Sequence, residues 1–316
     1  MSDEELDLIE IQLDVAERFH GWRIDRFVQA RIPRLSRTRI QQMLRAQEQL
    51  GGEVLRPAMR VRAGQRLILL RPAPDEPDVP RHFEVLYEDE FLIAIDKPAG
   101  LPVHATARYH RNTLTAVLRE RYAAEEQVPR LVHRIDRETS GVLLLARRRD
   151  VESALKQALA ARSVHKAYLA ITWGDPGPSG MIDAPIGPDP ESGIRVKMRA
   201  RADGLPSRTR YRRLAVKGGY ALVEAYPETG RQHQIRVHLA SLGTPIVGDK
   251  LYGPDPSCML EHLETGWTEA LAARLELPRH ALHAARICFE HPVHRKSMTV
   301  ESPFPGDLDS FWCGRR

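Results

Sequence analysis

Apolar and polar residues alternate with different periods along the chain, and each period predicts an element. Ile9, Ile11, Leu13 and Val15 alternate with Glu10, Gln12 and Asp14, the period of two expected of a half-buried strand. A helix is predicted over Asp25–Arg31. A second starts at Ser36, a good N-cap, and runs to about Ala46. On it Ile40, Met43 and Leu44 make an apolar stripe, with Arg39, Gln42 and Arg45 on the other side. Val54 to Leu70 reads as short strands around an Ala63-Gly64 turn.

Pro72, Pro74, Pro77 and Pro80, interleaved with Asp75, Glu76 and Asp78, predict a stiff acidic linker. The expected organisation is therefore a front domain over 1–71, a linker over 72–80 and a larger domain over 81–316. In the larger part, His82–Tyr87 and Phe91–Asp96 suggest a hairpin around Glu88-Asp89-Glu90. Thr113 can cap a helix with Leu114, Val117, Leu118 and Tyr122 on one face. Val142–Ala146 is a continuous apolar run, hence a buried strand. Asp150 is expected to cap a helix carrying Val151, Ala154, Leu155, Ala158 and Leu159. Strands are expected at Ala167–Thr172, Thr209–Val216, Ala221–Ala225, Leu282–Phe289 and Met298–Glu301. Thr229 precedes a predicted helix through Leu242, ended by Gly243, and Met259–Leu277 reads as an amphipathic helical insertion. Strands outnumber helices and neighbour one another in sequence. The fold class expected is α+β: a mixed, mainly antiparallel sheet with flanking helices, plus a small basic α/β unit in front.

Composition adds a compartment and a partner. The 316 residues, 42% apolar and 28% charged, suit a globular protein of two domains. No apolar run approaches the roughly 20 residues that cross a bilayer. The acidic start, MSDEELDLIE, lacks the order of a signal peptide, so a cytoplasmic location is expected. Cys258, Cys288 and Cys313 show no CxxC spacing, which suits a reducing compartment and gives no zinc cluster. The net charge of +5 is modest, but twelve arginines lie between His20 and Pro72 against only Asp25, Glu48 and Glu53. Arginine at that density points to forked contacts with phosphate. A solvated basic surface is the alternative.

The densest chemistry is His133-Arg134-Ile135-Asp136-Arg137-Glu138-Thr139-Ser140-Gly141. Two flanking arginines would hold Asp136 ionised, and Thr-Ser-Gly suits a tight turn into the buried strand. On the residues alone, a salt-bridged turn explains the string equally well. The string resembles the signature of the RluA-type family of RNA pseudouridine synthases, with Ile135 in place of the usual Leu. Asp96-Lys97-Pro98-Ala99-Gly100-Leu101 with Val103-His104, Lys166-Ala167-Tyr168, and Thr229-Gly230-Arg231-Gln232-His233-Gln234-Ile235-Arg236 resemble further segments of that family. Pro245–Asp249 and Leu282–Ala285 match two later landmarks, so the likeness runs in order from about Phe83 to Pro292. The front unit resembles an S-four RNA-binding domain through Gly21-Trp22-Arg23-Ile24-Asp25-Arg26-Phe27 and Leu35-Ser36-Arg37-Thr38-Arg39-Ile40. It departs at Gln49-Leu50-Gly51-Gly52-Glu53, where that domain commonly has a Val-Asn-Gly turn.

The resemblance implies a reaction that breaks the bond from ribose to base nitrogen, turns the base and rejoins it through carbon five. That needs no cofactor, no nucleotide and no metal. It implies Asp136 as the essential carboxylate, attacking the anomeric carbon or acting as a base at the neighbouring sugar carbon. Tyr168 would pack on the flipped base and help remove the carbon-five proton; Arg236 would pair with the carboxylate and fill the vacated space. Without the family, Tyr168 reads as a core strand tyrosine and Arg236 as an exposed helix arginine. Arg134, Arg137, Arg37, Arg39 and Arg45 are expected to bind RNA phosphate, or in the loop to brace it. The expected partner is structured RNA, large-subunit ribosomal RNA first and transfer RNA second, bound by a monomer. A non-catalytic RNA-binding or ribosome-assembly protein is the competing reading. Asp25, in a second Arg-Ile-Asp-Arg string, reads as a structural partner of nearby arginines. His280 with His283, and His291 with His294, share an i, i+3 spacing, but no accompanying carboxylate set is evident and no metal is expected. The basic residues from Arg195 to Arg210 read as a second RNA-facing strip or a solvated loop.

Overall fold

The alternating stretch at the front forms strand β1 (Leu8–Asp14) in a computed structural model that describes residues 8–33, 35–72, 76–106, 108–255 and 257–315. Residues 1–7, Arg34 of the arginine-rich stretch and 73–75 of the expected linker lie outside that range. The chain divides into two compact units, Met1–Asp75 and Glu76–Arg316. The division falls inside the stretch expected as a linker. Glu76 belongs to the second unit, where its carboxylate accepts the backbone N–H groups of His110, Arg111 and Asn112 at 2.7–3.0 Å.

In the first unit α1 (Ile24–Arg31) and α2 (Arg37–Arg45) pack their apolar faces on Leu67 and Leu69 of β2 (Arg66–Pro72), which pairs antiparallel with β1. Ser36 caps α2, its Oγ accepting the N–H of Arg39 at 3.2 Å. The strands expected before Arg66 do not form. Turns closed by Met59 N–H to Arg56 and Gln65 N–H to Arg62 occupy that stretch, and Pro57 removes a donor a ladder would need.

The second unit is built on one twisted sheet. Its strands are β3 (Glu84–Glu88), β4 (Leu92–Lys97), β5 (Arg130–Leu131), β6 (Ser140–Ala146), β7 (His165–Trp173) and β8 (Ser179–Asp183). After a separate two-stranded pair, β9 (Ile186–Pro188) and β10 (Met198–Ala200), come β11 (Arg208–Lys217), β12 (Tyr220–Pro227), β13 (Leu282–Glu290) and β14 (Ser297–Glu301). The sheet order is β3-β4-β6-β13-β7-β12-β11-β8, with β14 on β13 and β5 on β6. Among the described residues its pairs are antiparallel except β6 with β13. That parallel crossing needs Gly141: at φ +111°, a Cβ there would lie 2.3 Å from the Ala284 carbonyl oxygen.

β6 is apolar throughout because both of its faces are covered. Leu143 and Leu145 join the core that includes Leu114, Val117 and Leu118 of α3 (Leu114–Arg121); Val142 and Leu144 join that of Val151 and Leu155 on α4 (Arg149–Ala160). Thr113 caps α3 as expected, whereas α4 begins two residues early, with Arg148 at the N-cap position and Asp150 inside its first turn. The helix expected after Thr229 is confined to α5 (Gln234–Ser241). Thr229 Oγ1 instead accepts Arg208 N–H and donates to the Gln234 side chain, which keeps 229–233 as a loop. The insertion is two helices, α6 (Cys258–Thr265) and α7 (Glu269–Leu275), parted at Gly266 with φ +74°. Helix α8 (Gly306–Cys313) closes the described chain. Among the described residues no helix is long and apolar enough to cross a membrane.

Candidate active site

The loop from Val132 to Thr139 enters β6 carrying Asp136, and buried polar groups pin it from several sides. Lys97, fully buried at the end of β4, donates to the carbonyls of Pro98, Leu101 and Arg137 at 2.7, 2.9 and 3.0 Å. Burial draws its ammonium down to about 7, yet each of its three N–H groups has a carbonyl, an arrangement suited to the charged form. Glu138 receives the Lys250 ammonium at 3.0 and 3.1 Å and the Arg137 guanidinium at 2.9 Å. Thr139 meets His280 at 2.8 Å, and Ser140 meets Nδ1 of His283 at 3.0 Å.

Opposite the loop, α5 delivers Arg236, which is only 7% exposed. Its Nη1 donates to Asp136 Oδ2 at 2.9 Å, while Nε and Nη2 grip Asp249 at 2.7 and 2.9 Å. Asp249 is fully buried and also accepts the N–H groups of Leu251 and Tyr252. A buried guanidinium between two carboxylates leaves the trio with one net negative charge. Burial alone would raise the Asp136 carboxyl, but Arg236 outweighs it and holds the group down at about 2. Asp136 is therefore ionised at neutral pH, as expected, but the charge responsible is Arg236, the partner the family resemblance implied, rather than the two flanking arginines. Arg134 is exposed, and Arg137 binds Tyr109 and Glu138. Among the described residues neither flanking arginine pairs with Asp136, although Arg134 shares a cavity wall with it; the pairing arginine lies 100 residues on.

Tyr168 on β7 is 9% exposed and lines the same cavity as Asp136 and Arg236, a space of about 280 Å³ that Lys166, His233 and Leu282 also border. That is near the lower end, about 300 Å³, for small-ligand sites, so it admits one nucleoside-sized group. Burial and the Asp136 charge push the Tyr168 phenol well above its ordinary value, so it stays protonated. His233 precedes α5 in a left-handed conformation, φ +57°. The Tyr252 hydroxyl accepts Met198 N–H and meets Nδ1 of His233 at 2.8 Å. Burial and the Arg236 charge hold the imidazole neutral, at about 4.

The three residues expected to carry the chemistry are thus brought together. The arginines expected on RNA divide differently. Arg39 and Arg45 are exposed on α2, whereas Arg37 and Arg23 clasp the fully buried Asp25, which also accepts from Gln41. Asp249, Glu138, Lys97 and Lys250 have roles that were not assigned from sequence. His280 and His283 serve as loop anchors. At the other histidine pair the expectation of no accompanying carboxylate is corrected, since Asp89 lies beside His291 and His294. Its Oδ2 accepts from His291 Nε2 at 3.0 Å, and His291 Nδ1 accepts two backbone N–H groups. Both ring nitrogens are already committed, which describes a clamp between chain segments.

Comparison with known proteins gives one family. Residues 91–241 match the model of RNA pseudouridylate synthase. Ribosomal large subunit pseudouridine synthase D of Xanthomonas campestris pv. campestris is 39% identical, across 100% of this chain and 95% of that protein. Its namesake in Zymomonas mobilis subsp. mobilis is 34% identical, across 94% and 95%. The solved structure of human RNA pseudouridylate synthase domain containing 4 superposes with a TM-score of 0.57 at 30% identity, covering 71% of this chain and 90% of that one. For human RNA pseudouridylate synthase domain containing 1 the values are 0.58, 27%, 74% and 89%.

Proposed function

The chain belongs to the RNA pseudouridylate synthase family, isomerases that convert uridine to pseudouridine in RNA, and from that premise we propose that it modifies large-subunit ribosomal RNA with Asp136 as its essential carboxylate. The observation that carries the site is the Asp136–Arg236–Asp249 chain on the wall of a cavity shared with Tyr168. Departure of a base from ribose develops positive charge at the anomeric carbon. An ionised carboxylate already oriented by Arg236 lowers that barrier without reorganising. Only Oδ2 of Asp136 is engaged among the described residues, which leaves Oδ1 for the sugar. Tyr168, held neutral, serves as a flat wall for the extruded base and as a hydroxyl relay rather than as a phenolate base.

The ribosomal target rests on relatives that bear that name over nearly the whole chain, such as those of Xanthomonas and Zymomonas. We assign the first unit as an S-four-like RNA-binding domain in which Arg39 and Arg45 of α2 face phosphate. Arg134 and Arg137 belong to the RNA side of the catalytic loop, the second mainly as a brace. A cytoplasmic monomer completes the reading. A transcriptome-wide pseudouridine map with and without the protein tests it. The expected result is loss of specific large-subunit sites, and loss confined to transfer RNA would replace the ribosomal assignment.

A further inference from the structure

The basic strip between Arg195 and Arg210 is largely neutralised by its own neighbours. Lys197 and Arg199 face Asp189, Arg201 faces Asp203, and Arg208 faces Asp183 and Glu228. Arg210 is an exception. Its guanidinium lies over the Tyr226 ring, 4.7 Å from the centroid, on the wall of a second cavity of about 430 Å³. Arg162 and Lys166 line the same space, and Lys166 and Pro227 also line the Asp136 cavity, so the two spaces adjoin. Glu228 also lines this space, but its carboxylate faces Arg208 at 3.6 Å. Among the described residues no carboxylate lies within ion-pair reach of Arg162, Lys166 or Arg210, whereas Arg286, on the same wall, is taken by Glu224 and Glu301.

Two further features mark this cavity. Arg162 ends α4 in a left-handed conformation, φ +59°, with its N–H on Leu159 O and the Ser163 N–H on Ala158 O. Glycine fits that cap position without strain, so an arginine there is held at a conformational cost. Lys166 is half-buried, and burial depresses its ammonium below the ordinary lysine value. A partly desolvated cation without a counter-charge is unfavourable until an anion arrives.

We propose that this second cavity is a phosphate-binding subsite for the RNA strand adjoining the reacting uridine, with Arg162, Lys166 and Arg210 as its cations and Tyr226 as a flat wall beside sugar or base. The proposal rests on the RNA-isomerase reading above. It is tested by measuring affinity for a single-stranded oligouridylate and a large-subunit ribosomal RNA transcript over a salt series, using the full chain. Arg162→Gly and Arg210→Ala should each weaken binding and flatten the log–log salt slope by about 0.7, one single-strand phosphate contact. Arg162→Gly should at the same time raise Tm, because glycine relieves the cap. Wild-type slopes in both variants would overturn the subsite. So would an equal loss in Lys296→Ala, a control at an exposed turn, since the effect would then be general charge. Carbon-five hydrogen release by the wild type is read in parallel. Its absence would defeat the isomerase reading, while the slopes still decide whether the cavity binds phosphate.

Discussion

Asp249 holds Arg236 by two parallel hydrogen bonds, Nε to Oδ2 at 2.7 Å and Nη2 to Oδ1 at 2.9 Å, and so aims the remaining Nη1 at Asp136. The aim of the Asp136 carboxylate is thus set by a residue that lines neither cavity described above.

Asp249→Asn removes the charge that balances Arg236 while keeping the shape. Stability should drop by about 3 kcal/mol, the scale for unpairing a buried ion. The maximal rate should fall by about 10²-fold through misalignment of Asp136, with RNA affinity little changed. Urea unfolding and single-turnover isomerisation check the two effects separately. A fall in affinity with an intact maximal rate would contradict the positioning role.

Lys97→Met strips the Pro98, Leu101 and Arg137 carbonyls of a common donor. The expected cost is about 2–4 kcal/mol, because carbonyls buried with that side chain are left under-satisfied. The Arg137 carbonyl adjoins Asp136 in the chain, so activity should fall with stability. A urea midpoint equal to that of the wild type would show that the carbonyls find other partners.

Asp136 and Glu138 are both held at about 2, against 3.8 and 4.5 for the free groups. For depressed carboxylates the folded state binds fewer protons than the unfolded one. Their contribution is complete above about 4.5 and is lost as pH falls through about 2. Thermal melts should therefore be flat with respect to these groups at neutral pH and decline steeply below 4.5. The rate should show no acid limb from Asp136 near neutrality. A carboxyl titration of Asp136 followed by 13C NMR with its midpoint near pH 6 would contradict this.

The arginines of α2 should separate by partner. Arg37→Ala exposes the buried Asp25 to the loss of one of its clasps and should lower Tm. Arg39→Ala and Arg45→Ala should leave Tm nearly unchanged and each reduce the RNA salt slope by about 0.9 if the contacted phosphates lie in duplex. Melting curves and salt titrations on the three variants decide it.

Much of this was legible in the sequence, and the remainder has identifiable causes. β6 was readable because Val142–Ala146 is apolar at every position, and α2 because Ser36 announces its cap. Asp136, Tyr168 and Arg236 came from the family likeness; in isolation the last reads as an exposed helix arginine, whereas it is buried. The residues alone placed the charge that holds Asp136 ionised on Arg134 and Arg137, because spacing along the chain carries no information on a partner 100 residues away; the pairing with Arg236 came only from the family likeness. Asp249 stood inside a matched segment without a role, since nothing local shows that Leu251 and Tyr252 fold their N–H groups back on to it. β8, β9 and β10 are only five, three and three residues long, and Gly180 in β8, with Gly187 and Pro188 in β9, interrupts the first two, so no period could develop in them.

The most direct measurement is release of the carbon-five hydrogen from labelled uridine in large-subunit ribosomal RNA, comparing wild type with Asp136→Asn at saturating RNA. Release by the wild type, abolished in a folded variant that still binds RNA, is the predicted result. Equal release from both proteins would remove Asp136 from the reaction.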